Sequence, residues 1–140
     1  MQIKDVMTRD VEVIGPTDTI KEASELMRSL NVGVLPVCEG DQILGLVTDR
    51  DIVVRGLALG KMPESAISDV MTEDVEWCFE DHDVQEAARL MKDKQIRRLI
   101  VLDHDKKLVG ICSLGDIATE REDIGAEVLE RVSEPAAPAR

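Results

Sequence analysis

The nine residues DVMTRDVEV at 5–13 return as DVMTEDVEW at 69–77, with seven of the nine positions identical. Two unrelated stretches of one 140-residue chain do not agree to that extent. The chain therefore contains one supersecondary unit written twice, and any fold assigned to it has to be a fold of two copies. Laid without a gap, residues 5–37 match residues 69–101 at 13 of 33 positions. One extra residue in the loop DHDKK of the second copy then brings ILGLVTDRDI (43–52) onto LVGICSLGDI (108–117). The repeat thus runs through a third apolar segment and into the helix after it.

Both copies follow one local grammar. A short alternating stretch, VEVI (11–14) or VEWC (75–78), predicts a strand. The polar PTDT or EDHD that follows offers a helix N-cap. Ile20, Ala23, Met27 and Leu30 then recur at helical spacing, as do Val84, Ala87 and Met91, with Leu26 and Leu90 widening the same faces. VGVLPV (32–37) and ILGLV (43–47), like RRLIVL (97–102) and LVGIC (108–112), predict hairpins across polar loops. A second helix begins at TDRDI or SLGDI. The unit is β-α-β-β-α, and its crossover helix implies an α+β sandwich. The boundaries expected are 1–60 and 67–125 for the copies, 61–66 for a linker, and 126–140 for a helix end and a fraying tail.

Composition narrows the function. The formal net charge of −12 argues against a partner such as duplex nucleic acid, whose binding depends on basic neutralisation of phosphates. No stretch approaches 18 consecutive apolar residues and none resembles a signal peptide, so a cytoplasmic protein with no membrane partner is expected. Cys38, Cys78 and Cys112 lie in apolar, strand-like runs and read as buried free thiols. His82 and His104 sit in polar loops, neither with a ligand partner three or four residues on, so no metal is expected. Trp77 aligns with Val13 and reads as a core residue; Met7, Met71, Met27 and Met91 read as soft packing. No nucleophile elbow, zinc-protease motif or P-loop is present, so no enzyme and no catalytic residue are expected.

KDVMT and SDVMT, GVLPV and RRLIV, GLVTDRDI and GICSLGDI occur in this order in the two copies. Together they resemble a tandem of cystathionine-β-synthase (CBS) domains, a Bateman module, over about residues 1–120. The resemblance implies two repeats related by pseudo-two-fold symmetry and a regulatory module without a cofactor of its own. It further implies adenine-nucleotide ligands (AMP, ADP, ATP, or the related S-adenosylmethionine) in clefts between the repeats, a homodimer, and a regulated partner whose identity is open. The alternative is a structural or interaction protein that keeps the fold without a ligand.

The T/S-x-x-D spacing has a physical use of its own. Thr48 ends a strand, and its hydroxyl with nearby N–H groups can meet a phosphate, while Asp51 can accept both hydrogen bonds of a ribose diol. The same spacing also describes an ordinary helix N-cap with a first-turn acid. Arg97 and Arg98 are adjacent in a strand, so their side chains face opposite ways. By the resemblance, one ligand site takes Thr48, Asp51, Thr72 and Val75 with Arg97 or Arg98. The other takes Ser113 and Asp116 with Thr8, Val11, Gly33 and Val34, and lacks the basic pair. Consecutive Ile52, Val53 and Val54 cover too wide an arc of helix for one sheet to bury, which also points to a second chain.

Overall fold

The structure is a computed structural model, and it describes residues 1–135. It divides into two compact units. One is built from Val11–Val75; the other joins Met1–Asp10 to the chain from Glu76 onward.

The first of these contains α1 (Ile20–Leu30) and the antiparallel hairpin of β2 (Val34–Glu39) and β3 (Gln42–Thr48). Thr19 caps α1, accepting from the Glu22 N–H at 3.1 Å, and Asn31 ends it in the left-handed region. Ile20, Ala23 and Met27 are buried with Leu35, Val37, Val47, Ile67 and Val70 in one aliphatic core. Leu30, expected on the same face, is exposed. After β3 the helix is irregular: a single turn, α2 (Asp49–Asp51), runs into a wide π-turn (Ile52–Gly56) and a tight turn (Leu57–Leu59).

The other unit carries a four-stranded sheet ordered β1 (Thr8–Arg9), β6 (Leu108–Ser113), β5 (Arg98–Leu102), β4 (Trp77–Phe79). β4 and β5 are parallel and the other pairs antiparallel, as a crossover helix between β4 and β5 requires. That helix is α3 (Val84–Lys94), whose buried Val84, Ala87, Ala88 and Met91 pack with Leu99, Val101 and Cys112. α4 (Leu114–Glu120) and α5 (Glu122–Val132) complete the core through Ile117, Ile124 and Val128.

Position by position the units share one topology. Cys78 opposite Val101 in β4–β5 has its counterpart in a lone bridge, Ile14 opposite Val37. Thr8 opposite Ile111 has its counterpart in the bridge of Thr72 to Leu46. The strand expected at 11–14 is thus reduced to one bridge, while of its copy at 75–78 only Trp77 and Cys78 join β4. Residues 126–132 belong to α5, a full helix that starts after the break at Arg121, with Gly125 buried where a Cβ would meet Ala118 at 2.6 Å. The fraying tail falls largely on residues 136–140, which lie outside the described residues.

Candidate functional site

Each DVMT segment packs in the unit made mainly of the other copy. Residues 67–72 run beside the β2–β3 hairpin, where the Thr72 N–H donates to the Leu46 carbonyl at 2.8 Å and the Leu46 N–H donates back at 2.9 Å. Thr8 and Arg9, at the end of the other segment, pair likewise with Ile111 and Gly110 of β6. The glycine of each G-h-h-T/S motif (h apolar) makes this approach possible. A Cβ on Gly45 would stand 2.3 Å from the Thr72 carbonyl oxygen, and one on Gly110 would stand 2.5 Å from that of Thr8.

This crossing builds two equivalent polar clusters. In one, the Thr48 hydroxyl accepts from the Asp51 N–H and the Asp51 carboxylate accepts from the Thr48 N–H, both at 3.0 Å. This is a reciprocal capping box, and it fixes the carboxylate at the start of the helix. The Thr72 hydroxyl, arriving from the crossing segment, reaches the same carboxylate at 3.3 Å. In the other, Ser113 and Asp116 form the same box at 3.0 and 2.9 Å, and the Thr8 hydroxyl reaches Asp116 at 3.4 Å. Thr8 and Thr72 are exposed, while Asp51 and Asp116 are half-buried. Each site therefore offers an oriented carboxylate with spare lone pairs, two hydroxyls, and backbone N–H groups at a helix start. Such a set suits a diol or another neutral polar group.

The other expected residues lie as follows. Val34 pairs with Thr48, and the Gly33 carbonyl accepts from the Asp49 N–H at 3.0 Å. Arg98 pairs with Ser113, and the Arg97 carbonyl accepts from the Leu114 N–H at 2.8 Å. These are equivalent positions of the two units, Gly33–Val34 in one and Arg97–Arg98 in the other. Both arginine side chains are exposed, and neither makes an ion pair among the described residues. Val75 and Val11 are half-buried.

Trp77 is not a core residue. It is 41% exposed and meets the edge of Phe79 at 5.1 Å, while Phe79 stacks on His104 at 4.5 Å. The alternation of β4 puts Cys78 inward, and that leaves its neighbour Trp77 on the outer face. His104 binds the Asp81 carboxylate at 2.7 Å, and this hydrogen bond lifts the imidazole above its ordinary value. His82 does have a carboxylate four residues on: it pairs with Glu86 at 3.1 Å. Among the described residues no three metal-ligating side chains gather. The three cysteines are free and buried, and desolvation pushes Cys78 and Cys112 up to about 12. Among the described residues no helix is long and apolar enough to cross a membrane.

One polar contact was not signalled by any motif. The Arg55 guanidinium donates to the carbonyls of Met71 and Val70, at 2.8 and 3.3 Å, beside an open groove of about 630 Å³.

Comparison with known proteins gives these clusters a context. The family model for the CBS domain matches twice, over residues 3–57 and 67–123. The CBS domain-containing protein YhcV of Bacillus subtilis is 40% identical over 119 residues, spanning 85% of this chain and 84% of that protein. The crystal structure of Hypoxic Response Protein I with two coordinated zinc ions superposes with a TM-score of 0.77 at 32% identity, covering 86% of this chain and 98% of that one. That of CBSX2 in complex with AMP gives a TM-score of 0.76 at 27% identity, covering 88% of this chain and 97% of that one.

Proposed function

Because this chain belongs to the CBS-domain family, whose paired members are regulatory modules, we propose that it senses an adenine nucleotide. The observation that carries this reading is the carboxylate of each box, fixed by its own helix start and met by a second hydroxyl from the crossing segment. A ribose diol needs an acceptor of this kind, pre-oriented and partly shielded from water. The AMP complex of CBSX2, a structural neighbour, supports the same ligand class. The Thr48, Asp51, Thr72 site takes the ribose and the Ser113, Asp116, Thr8 site is its weaker counterpart. Phosphate charge is assigned to Arg97 or Arg98, with Val75 beside the base at the first site and Val11, Gly33 and Val34 at the second.

A second reading has its own support. The capping box satisfies Thr48 and Asp51 without any ligand, as it does Ser113 and Asp116. A purely structural role would account for both motifs. Thermal unfolding with AMP, ADP, ATP, NAD and S-adenosylmethionine separates the two readings. A ligand of the folded state adds about 2.7 kcal/mol at a hundredfold excess over its Kd. Stabilisation by an adenine nucleotide, lost on replacing both Arg97 and Arg98 with Ala, fits the sensing role; no response to any of the five supports the structural one.

The module works as a homodimer. Val53, Val54, Leu57, Leu59 and Met62 are exposed, Leu57 by 74% and Leu59 by 72%, and they follow one another along the irregular helix and its exit. A second copy is the cover this reading assigns to them. Sedimentation as a monomer at micromolar concentration would contradict it.

A further inference from the structure

The two crossing segments are held alike by the backbone up to a point. The Ile67 N–H donates to Asp18 and the Ser68 N–H to Pro16, at 2.8 and 3.0 Å; the Ile3 N–H donates to His82 and the Lys4 N–H to Glu80, both at 2.8 Å. Beyond that point they differ. Thr8 and Arg9 form a two-residue strand on β6, whereas Thr72 makes a single bridge to β3. The segment with the shorter ladder is the one that Arg55 grips, through two successive carbonyls immediately before Thr72.

The grip depends on a local irregularity. Arg55 lies inside the π-turn, and a wide turn changes the angular phase of its residues relative to a regular helix. Gly56, next to it, is buried, and a Cβ added there would make only ordinary contact, at 3.5 Å, with the side chains of Ile20 and Val70. In the second copy the helix α4 is regular, and the residue aligned with Arg55 is Glu120. A carboxylate cannot donate to a carbonyl, so Glu120 cannot grip the Thr8 segment in this way; the guanidinium bond there, from Arg9 to the Lys4 carbonyl at 3.2 Å, lies within the segment itself.

We propose that Arg55 is a positioning residue for the Thr48/Asp51 site, holding Val70 and Met71 so that the Thr72 hydroxyl stays on the Asp51 carboxylate. It also makes the two sites unequal, one gripped by a guanidinium from the turn after its own capping box and the other not. The proposal rests on the nucleotide reading for its effect on affinity, but not for its effect on the segment.

The test uses Arg55→Gln and Arg55→Lys in the full chain, with amide hydrogen exchange and AMP titration calorimetry. Without ligand, Arg55→Gln speeds exchange of the Thr72 and Leu46 amides about tenfold or more, and leaves the Thr8–Ile111 pairing unchanged. AMP affinity falls about tenfold at the first site only, Arg55→Lys restores part of it, and Arg55→Gln adds nothing in a Thr72→Val background. Unchanged exchange at both amides overturns the clamp, as does an equal loss of affinity at both sites. If the unaltered protein binds no AMP, the nucleotide reading fails, and the exchange result still decides whether Arg55 holds the segment.

Discussion

Replacing Asp51 with Ala removes more than a ligand contact. The carboxylate accepts from the Thr48 N–H at 3.0 Å and stands 3.3 Å from the Thr72 hydroxyl. Loss of a capping side chain costs about 0.5–2 kcal/mol, and the hydroxyl contact adds a fraction of an ordinary hydrogen bond. The sequence suggested only a first-turn acid, worth about 0.3–1 kcal/mol; the reciprocal box raises the expectation to about 1–2 kcal/mol. For a domain of this size that is a fall in Tm of roughly 3–10 °C. Asp51→Asn separates the two roles, because its carboxamide oxygen can still accept from Thr48. It is expected to recover most of the Tm while losing the charge-assisted diol bonds, each worth about 1.5–3 kcal/mol, or at least tenfold in affinity. Asp116→Ala is the internal control: the same box is lost, with a similar Tm change. Differential scanning calorimetry and AMP titration on the three variants measure both effects. An unchanged Tm for Asp51→Ala would refute the capping argument, and full AMP affinity in Asp51→Asn would refute the assignment of the ribose.

Gly45→Ala forces a Cβ to within 2.3 Å of the Thr72 carbonyl oxygen, so the crossing segment has to move; overpacking of this kind costs about 1–3 kcal/mol or more, and chemical denaturation reads it. Gly40→Ala, with open space around it but a φ of +61°, should lose only about 1 kcal/mol, and equal losses would contradict the steric account. Cys78 and Cys112, pushed up to about 12 by burial, should resist a thiol reagent at pH 8 until the protein unfolds; stoichiometric labelling of the native state within minutes would show that the core is not closed. Histidine NMR should place His104 above its ordinary 6.5, returning towards it in Asp81→Asn. The sign for stability follows: the His104 contribution is complete below 6.5 and fades as pH rises through the raised value, while that of Asp81 is complete above 3.8 and fades as pH falls through its lowered value. The pair therefore helps most between those two limits, and a His104 titration unaffected by Asp81→Asn would exclude the contact.

What was readable in the chain was whatever depends on near neighbours. The duplicated DVMT segments, the helical spacing of Ile20, Ala23 and Met27, the hairpins, and the Thr48/Asp51 and Ser113/Asp116 boxes are all local in sequence, and each took the form its spacing implied. Thr8 and Thr72 were assigned to the opposite copies' carboxylates through family resemblance, and the structure brings each to its partner across 108 and 21 residues. No periodicity encodes that pairing. It depends on a glycine at 45 and at 110 that lets two backbones touch, and a glycine alone does not say which backbone it is waiting for. The same holds for Trp77, whose exposure depends on which neighbour in β4 the core takes, and for the strand at 11–14, where only Ile14 finds a partner. Arg55 is the plainest case. In the sequence it is one more charge on a helix, and its role exists only because a wide turn and two carbonyls from residues 15 and 16 positions later meet at one point.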